Sequence, residues 1–435
     1  MIITSNTVGI IADDLTGAND TALQFHLQGA NTQILLTEDV EPVNIKGTQT
    51  WAISTESRNL SSKEAYEAVK KISAMFLEKL HPDYFYKKID STLRGNIAVE
   101  ILVLLTVLER DAAVIVPAFP LEGRVTVGGY HILKGVPIER TEMARDPHSP
   151  ICESHVPSLF ADMLSDDNRD CIGCLDLKTV MKGAGPVLIK INELVSQGKK
   201  LIIADAMSTV DIEQIALAIN KSDYNILPAG TAAFARSLAE LWFADFDNSH
   251  IIKTFPHLPK LIISGSAAQI TANQIKMLEN SDDFDALFIS LDLQTIIDGV
   301  NDNLVERVVL NLGEKNTVVV HTSNLIKNFD GFSEDSLNAE LTKEKLGSLI
   351  TDFLGELTGK IIEKRETILI TLGGETSYKC CSAIGAGQLQ LIDEAAPAIA
   401  VCMDHNAHWI VTKSGNLGGA NTLIDILKYF QSHSA

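Results

Sequence analysis

Between Val8 and Ala22 the chain reads VGIIADDLTGANDTA, and no other stretch limits its folding choices so tightly. The run Val8 to Ala12 suits a strand buried on both faces of a parallel sheet. It stops at two adjacent carboxylates, Asp13 and Asp14, after which Thr16 and Gly17 open a small-residue helix. In open α/β sheets ligands bind at the C-terminal edge of the strands, and a helix starting there turns its backbone N–H groups toward an anion. An Asp after a strand is commonly no more than an N-cap. Neighbouring residues in a turn point different ways, so at most one of the pair caps. The other needs a cation, a substrate hydroxyl or a basic partner.

A length of 435 residues exceeds one ordinary core. The polar, proline-bearing stretch from Phe243 to Pro259 marks the break, which gives an N-terminal domain over 1–243, a linker over 244–259 and a C-terminal domain over 260–435. Lys and Arg number 36 against 56 Asp and Glu, a net charge of −20, without long single-sign blocks. That balance disfavours nucleic acid or an anionic membrane as the main partner and makes any local cluster of cations meaningful. The N-terminus lacks a signal-peptide pattern and no run reaches the ~20 apolar residues of a membrane span, so a cytoplasmic protein is expected. Its six cysteines then read as reduced thiols, and the lone Cys171–Cys174 pair as structural rather than zinc-binding.

The strand from Thr50 to Thr55 runs into STESRNLSS, placing Ser54, Glu56 and Arg58 at a strand end, where Arg58 is expected to pair with Glu56. The strand from Asp83 to Ile89 runs into KKIDSTLRGNIAVEI. Lys87, Lys88, Asp90, Ser91, Thr92 and Arg94 crowd this junction before Gly95 and an apolar helix. In an acidic chain such a cluster reads as a cradle for a carboxylate or phosphate, for which the guanidinium fork is suited. The competing reading is a solvated turn with an Asp cap. The long segment after Ala118, with Arg124, Lys134 and Arg140, a hairpin in TVGGYHILKGVPI and a rigid turn from Asp146 to Pro150, is expected to line a pocket.

The second half repeats the pattern. Strands from Lys260, Thr367 and Trp409 end in Ser264-Gly265-Ser266, in Gly373-Gly374-Glu375-Thr376 and in Lys413-Ser414-Gly415 followed by Gly418. The last is not a Walker A loop, because its lysine precedes the glycines. Three small-residue strand ends in one domain indicate a nucleotide site, since such turns leave amide groups open to phosphate.

Taken together, IADDLTGAND, KKIDSTLRGN, DPHSP, LIISGSAAQITANQI, LGGETS and VTKSGNLG resemble the signature blocks of the four-carbon acid sugar kinases, from Val8 to about Leu423. The resemblance implies an α/β fold of two domains, each a mostly parallel sheet flanked by helices, with the active site in the cleft between them. It implies an ATP-dependent kinase acting on D-threonate, D-erythronate or a 3-oxo-tetronate, and the DPHSP turn resembles the threonate and erythronate branch, with 4-phospho-D-threonate the first expected product. Asp13, Asp14, Lys88, Asp90, Ser91, Arg94 and Gly95 fall on the sugar-acid side. Ser264, Gly265, Ser266, Gly373, Gly374, Glu375, Thr376, Lys413, Ser414, Gly415 and Gly418 fall on the ATP side.

On this reading Arg94, with Lys88 or Arg58, grips the acid's carboxylate and Asp14 accepts the hydroxyl proton. Mg²⁺ rides with the ATP phosphates, and no protein ligand is assigned to it. The partners are the sugar acid and ATP, and the oligomeric state stays open, a homodimer included. Two readings from other classes compete. A nicotinamide dehydrogenase would carry GxGxxG after the first strand, where Asp-Asp stands instead. A sugar-acid sensor would not need the C-terminal glycine loops.

Overall fold

In the computed structural model, which describes residues 6–37, 39–146, 149–244, 254–325 and 343–434, the run that opens the chain is strand β1 (Val8–Ala12), buried at every position. The chain divides into two units, Met1–Ser249 and His250–Ala435. Most of the expected linker, residues 245–253, lies outside the described residues, as do Pro147 and His148 of the DPHSP turn.

The first unit adds β2 (Thr32–Leu35), β3 (Thr50–Ser54), β4 (Tyr84–Lys88) and β5 (Ala112–Val116). A small antiparallel sheet of β6 (Arg124–Val127), β7 (Tyr130–Leu133) and β8 (Val136–Pro137) follows, at the place expected for a hairpin. Then come β9 (Ile172–Leu175), β10 (Leu201–Ala204) and β11 (Ile226–Gly230). The main sheet runs β2-β3-β1-β4-β11-β5-β10-β9 with every pair parallel. Strands buried on both faces need helices on both faces. Helix α1 (Leu15–His26) packs with Ala232–Trp242, Phe25 stacking on Trp242 at 6.0 Å. Helix Ser62–Met75 packs instead with Ile97–Val107, in a core that also holds Ile11, Ile53 and Ile115. From β1 the chain passes to β2 and β3 on one side and to β4 on the other, so the strand order reverses between β1 and β4. That reversal leaves a crevice at their C-terminal ends.

The second unit contains β12 (Lys260–Ser264), β13 (Ala286–Ser290), β14 (Thr317–His321), β15 (Ile368–Leu372), β16 (Gln388–Ala396), β17 (Ile399–Asp404) and β18 (Trp409–Lys413). Its order is β13-β14-β12-β15-β18-β17-β16, parallel as far as β18 and antiparallel beyond. The sequence β13-β14-β12-β15 repeats the arrangement β2-β3-β1-β4, so here the order reverses between β12 and β15. Among the described residues no helix is long and apolar enough to cross a membrane.

Candidate functional site

At the β1 edge the two carboxylates take the two roles that their adjacency demands. Asp14 is the N-cap of α1: its Oδ1 accepts from Gly17 N at 2.8 Å and its Oδ2 from Thr16 Oγ1 at 2.9 Å. Asp13, 3% exposed, receives the fork of Arg58, Nε to Oδ2 at 2.7 Å and Nη2 to Oδ1 at 3.1 Å. Arg58 Nη1 also reaches Asp14 Oδ2 at 2.7 Å, and its Nη2 stands 3.9 Å from Asp90 Oδ1. The expected pairing of Arg58 with Glu56 is therefore corrected. Glu56 has a left-handed backbone, φ 46°, and its carboxylate accepts from Ser54 Oγ at 2.5 Å and from Leu15 N at 3.0 Å. That leaves Arg58 to the aspartates across the strand end.

The β4 edge continues the alternation of charge. Asp90 accepts from Thr92 Oγ1 and from Arg94, Nε at 2.7 Å, and Arg94 Nη1 goes on to Asp146 Oδ2 at 3.0 Å. Gly95, at φ 93°, lies where a Cβ would sit 3.4 Å from Arg58 Cα and Cγ. Ser91 contributes its carbonyl oxygen, 2.9 Å from His131 Nε2. Lys88 Nζ is 3.9 Å from Asp20 Oδ1, a residue inside the IADDLTGAND block that the motif reading passed over. Lys87 is turned away into a buried pair with Glu100 at 2.6 Å. Asp205, another acid at a strand end, holds the amides of Gly128, Gly129 and Leu177 and is structural.

Burial opposes ionisation throughout this cluster, and the neighbours decide the outcome. At Asp13 the Arg58 charge, with Lys87 and Lys88, outweighs burial and holds the carboxyl below its ordinary range. Arg94 and Arg58 do the same for Asp90, more strongly. At Asp20 burial prevails, helped by the charge of Asp14, and the carboxyl is raised to about 6. Glu56 is raised to about 8 by burial and by Asp14.

A carboxyl raised from 4.5 to about 8 binds its proton more tightly in the folded state, so its contribution is complete below about pH 4.5 and lost as pH rises through 8. Glu56→Gln should therefore gain stability relative to the parent between pH 5 and 8, read as urea midpoints at the two ends. A difference that does not vary with pH would show that Glu56 ionises normally.

In the second unit the expected loops interlock. Ser264, the last residue of β12, is 1% exposed and its Oγ has no hydrogen-bond partner among the described residues. Helices Gln269–Glu279 and Gly374–Ala383 begin after Ala268 and Gly373, neither with a side-chain cap, and Gly373 has φ 113°. A Cβ on Gly265 would lie 2.6 Å from Thr376 Oγ1, and one on Gly415 would run into Ser266 Oγ. Thr271 Oγ1 donates to Gly415 O at 2.7 Å, and Gln274 Nε2 to Leu417 O and Gly419 O. Lys413 is fully buried and donates to Ser414 O at 2.8 Å. Gly418 has φ 85°. Glu375 accepts from Thr351 Oγ1 at 3.2 Å, so it braces the neighbouring helix. Uncapped helix N-termini beside a buried lysine and an unpartnered hydroxyl fit the phosphates of a nucleotide.

Residues 8–238 match the family model described as a sugar-binding N-terminal domain, and residues 261–423 the one described as a nucleotide-binding C-terminal domain. A D-erythronate kinase of Heliobacterium modesticaldum is 30% identical, over 98% of this chain and 97% of its own. A D-threonate kinase of Salmonella typhimurium is 29% identical over 97% of this chain and 98% of its own. A solved Haemophilus influenzae structure, 23% identical and covering 97% of this chain and all of its own, shares the fold with a TM-score of 0.71.

Proposed function

This chain belongs to the four-carbon acid sugar kinase family and is a phosphotransferase acting on an alcohol group of a sugar acid, and from that premise we propose that it uses ATP to convert D-threonate to 4-phospho-D-threonate, or acts likewise on the C2 epimer D-erythronate. The observation that carries the reading is the division of chemistry between the two reversal points. The β1/β4 edge offers aspartates and cations to a polyhydroxy acid, while the β12/β15 edge offers two uncapped helix N-termini with Lys413, Ser264 and Ser266 to phosphates. The full-length relatives that carry the epimers' names differ by one point of identity, 30% and 29%, and the DPHSP block, which resembles the branch holding both, favours these two acids over the 3-oxo-tetronates without choosing between them.

Mg·ATP supplies the γ-phosphoryl group and the charge that neutralises it. On the acid side the hydroxyl that attacks must lose a proton. Asp14 was expected to take it, but Asp14 already accepts from Gly17, Thr16 and Arg58. Among the described residues the Asp20 side chain accepts from Thr21 alone, at 3.0 Å, and Lys88 stands 3.9 Å away. We assign proton acceptance to Asp20 and positioning to Asp14, with Asp13 and Asp90 held as anions by Arg58 and Arg94.

ADP release with Mg·ATP, followed over D- and L-threonate, D- and L-erythronate and their oxo forms, tests the substrate. Turnover on D-threonate or D-erythronate supports the reading, and silence across the panel defeats it. Gly415→Ala should raise the KM for ATP about tenfold or more, because its Cβ displaces Ser266. The KM for the acid should hold. An unchanged KM for ATP would place the nucleotide elsewhere.

A further inference from the structure

We propose that Arg124, on the hairpin that follows β5, is the residue that binds the carboxylate of the acid substrate and makes the enzyme select acids over neutral polyols. This inference rests on the kinase reading above. Arg124 is 6% exposed, yet among the described residues its guanidinium forms no ion pair and its Nε has no hydrogen-bond partner. Leaving a cation buried without hydrogen bonds is costly, so a structure that keeps one calls for an anion from outside. The other two arginines at this edge are already satisfied: the Arg58 fork is filled by Asp13 and Asp14, and that of Arg94 by Asp90 and Asp146.

The placement follows from strand periodicity. Along β6, Arg124 and Thr126 are buried while Val125 and Val127 are less so, which puts Arg124 on the same face as Thr126. Thr126 Oγ1 is 3.1 Å from His131 Nδ1, and His131 Nε2 is 2.9 Å from the carbonyl oxygen of Ser91, the neighbour of Asp90. The buried face of the hairpin is thus docked onto the end of β4. The charges acting on Arg124 are those of Glu122, Asp90, Arg94 and Asp20, none of them in hydrogen-bonded contact with it. Of the other cations in this segment, Arg140 is exposed and pairs with Glu139 at 3.5 Å, and Lys134 lies in a left-handed turn.

A bidentate arginine–carboxylate contact in a water-poor site is the strong form of this interaction, and lysine does not reproduce its fork. The test is steady-state kinetics of Arg124→Met and Arg124→Lys with the preferred tetronate and with the tetritol that replaces its carboxylate by CH₂OH, alongside thermal melting. Both variants should raise the KM for the acid by roughly two orders of magnitude, leave the KM for ATP unchanged, and lose most of the parent's preference for acid over tetritol. A merely structural role would move the two KM values together and keep that preference, and this result overturns the proposal. If Arg124→Met fails to fold, Arg124→Lys decides: a parent-like KM for the acid refutes the assignment. A parent enzyme inactive on every acid would instead defeat the kinase reading itself, an outcome visible before any variant is made.

Discussion

Asp20→Asn should lower kcat on the preferred tetronate by about 10²–10⁴-fold, the range that loss of a general base costs, with the KM for ATP unchanged. The carboxylates at this edge differ in how much of their basicity is already spent. Asp13 and Asp90 are committed to arginines and Asp14 to a helix N-terminus, a hydroxyl and Arg58, while Glu56, raised to about 8, already carries its own proton at neutral pH. Asp20 has the remaining capacity, and burial together with the charge of Asp14 raises its carboxyl to about 6. A base so poised is ionised at neutral pH yet still a useful proton acceptor. In the parent, kcat/KM should fall as pH drops through about 6, and Asp20→Asn should lose that limb. If Asp20→Asn kept kcat within a few-fold of the parent while Asp14→Asn abolished it, proton acceptance would return to Asp14.

Arg58→Met should destabilise the first unit by about 3–5 kcal/mol, the cost of removing one partner from buried charge pairs. Arg58 and its partners Asp13 and Asp14 have side chains 14%, 4% and 9% exposed, so solvent screens them little. Without the guanidinium the carboxylate of Asp13 is left buried with no counterion at hydrogen-bonding distance. The sign with pH follows. Arg58 holds Asp13, and with the larger effect of Arg94 holds Asp90, below the ordinary range, so the stability it confers is present above about pH 4 and disappears as acid protonates them. Urea denaturation should therefore show a deficit that is full at neutral pH and shrinks toward acid. A neutral-pH deficit below about 1 kcal/mol would class these contacts with ordinary surface ion pairs.

The parts of this molecule legible from sequence are those written in contiguous residues. β1, β12, β15 and β18 are apolar runs ended by charged or small residues, and their edges were readable for the same reason. The division of labour between Asp13 and Asp14 followed from adjacency alone, because one turn cannot aim both side chains at the same amides. The partner of Arg58 was not readable, since it depends on the left-handed backbone of Glu56, which no glycine or asparagine signals. The antiparallel pair β16 and β17 went unseen because its reverse turn places Ala398, at φ 62°, where glycine or asparagine would have marked it. Arg124 was visible only as one of three basic residues in a long segment. Its burial arises from a hairpin that folds back onto β4, a long-range event with no local trace. Asp20 lay inside the most informative motif but stood one helical turn and a half beyond the acids that drew the eye.

The measurement that bears most directly on the whole account follows ATP labelled in its γ-phosphate, incubated with Mg²⁺, the enzyme and D-threonate or D-erythronate, with the products separated. Label should appear in an acid-stable phosphomonoester of the tetronate, formed in equal amount with ADP and absent when the acid is left out. Label recovered only as inorganic phosphate, at a rate indifferent to either acid, would contradict it.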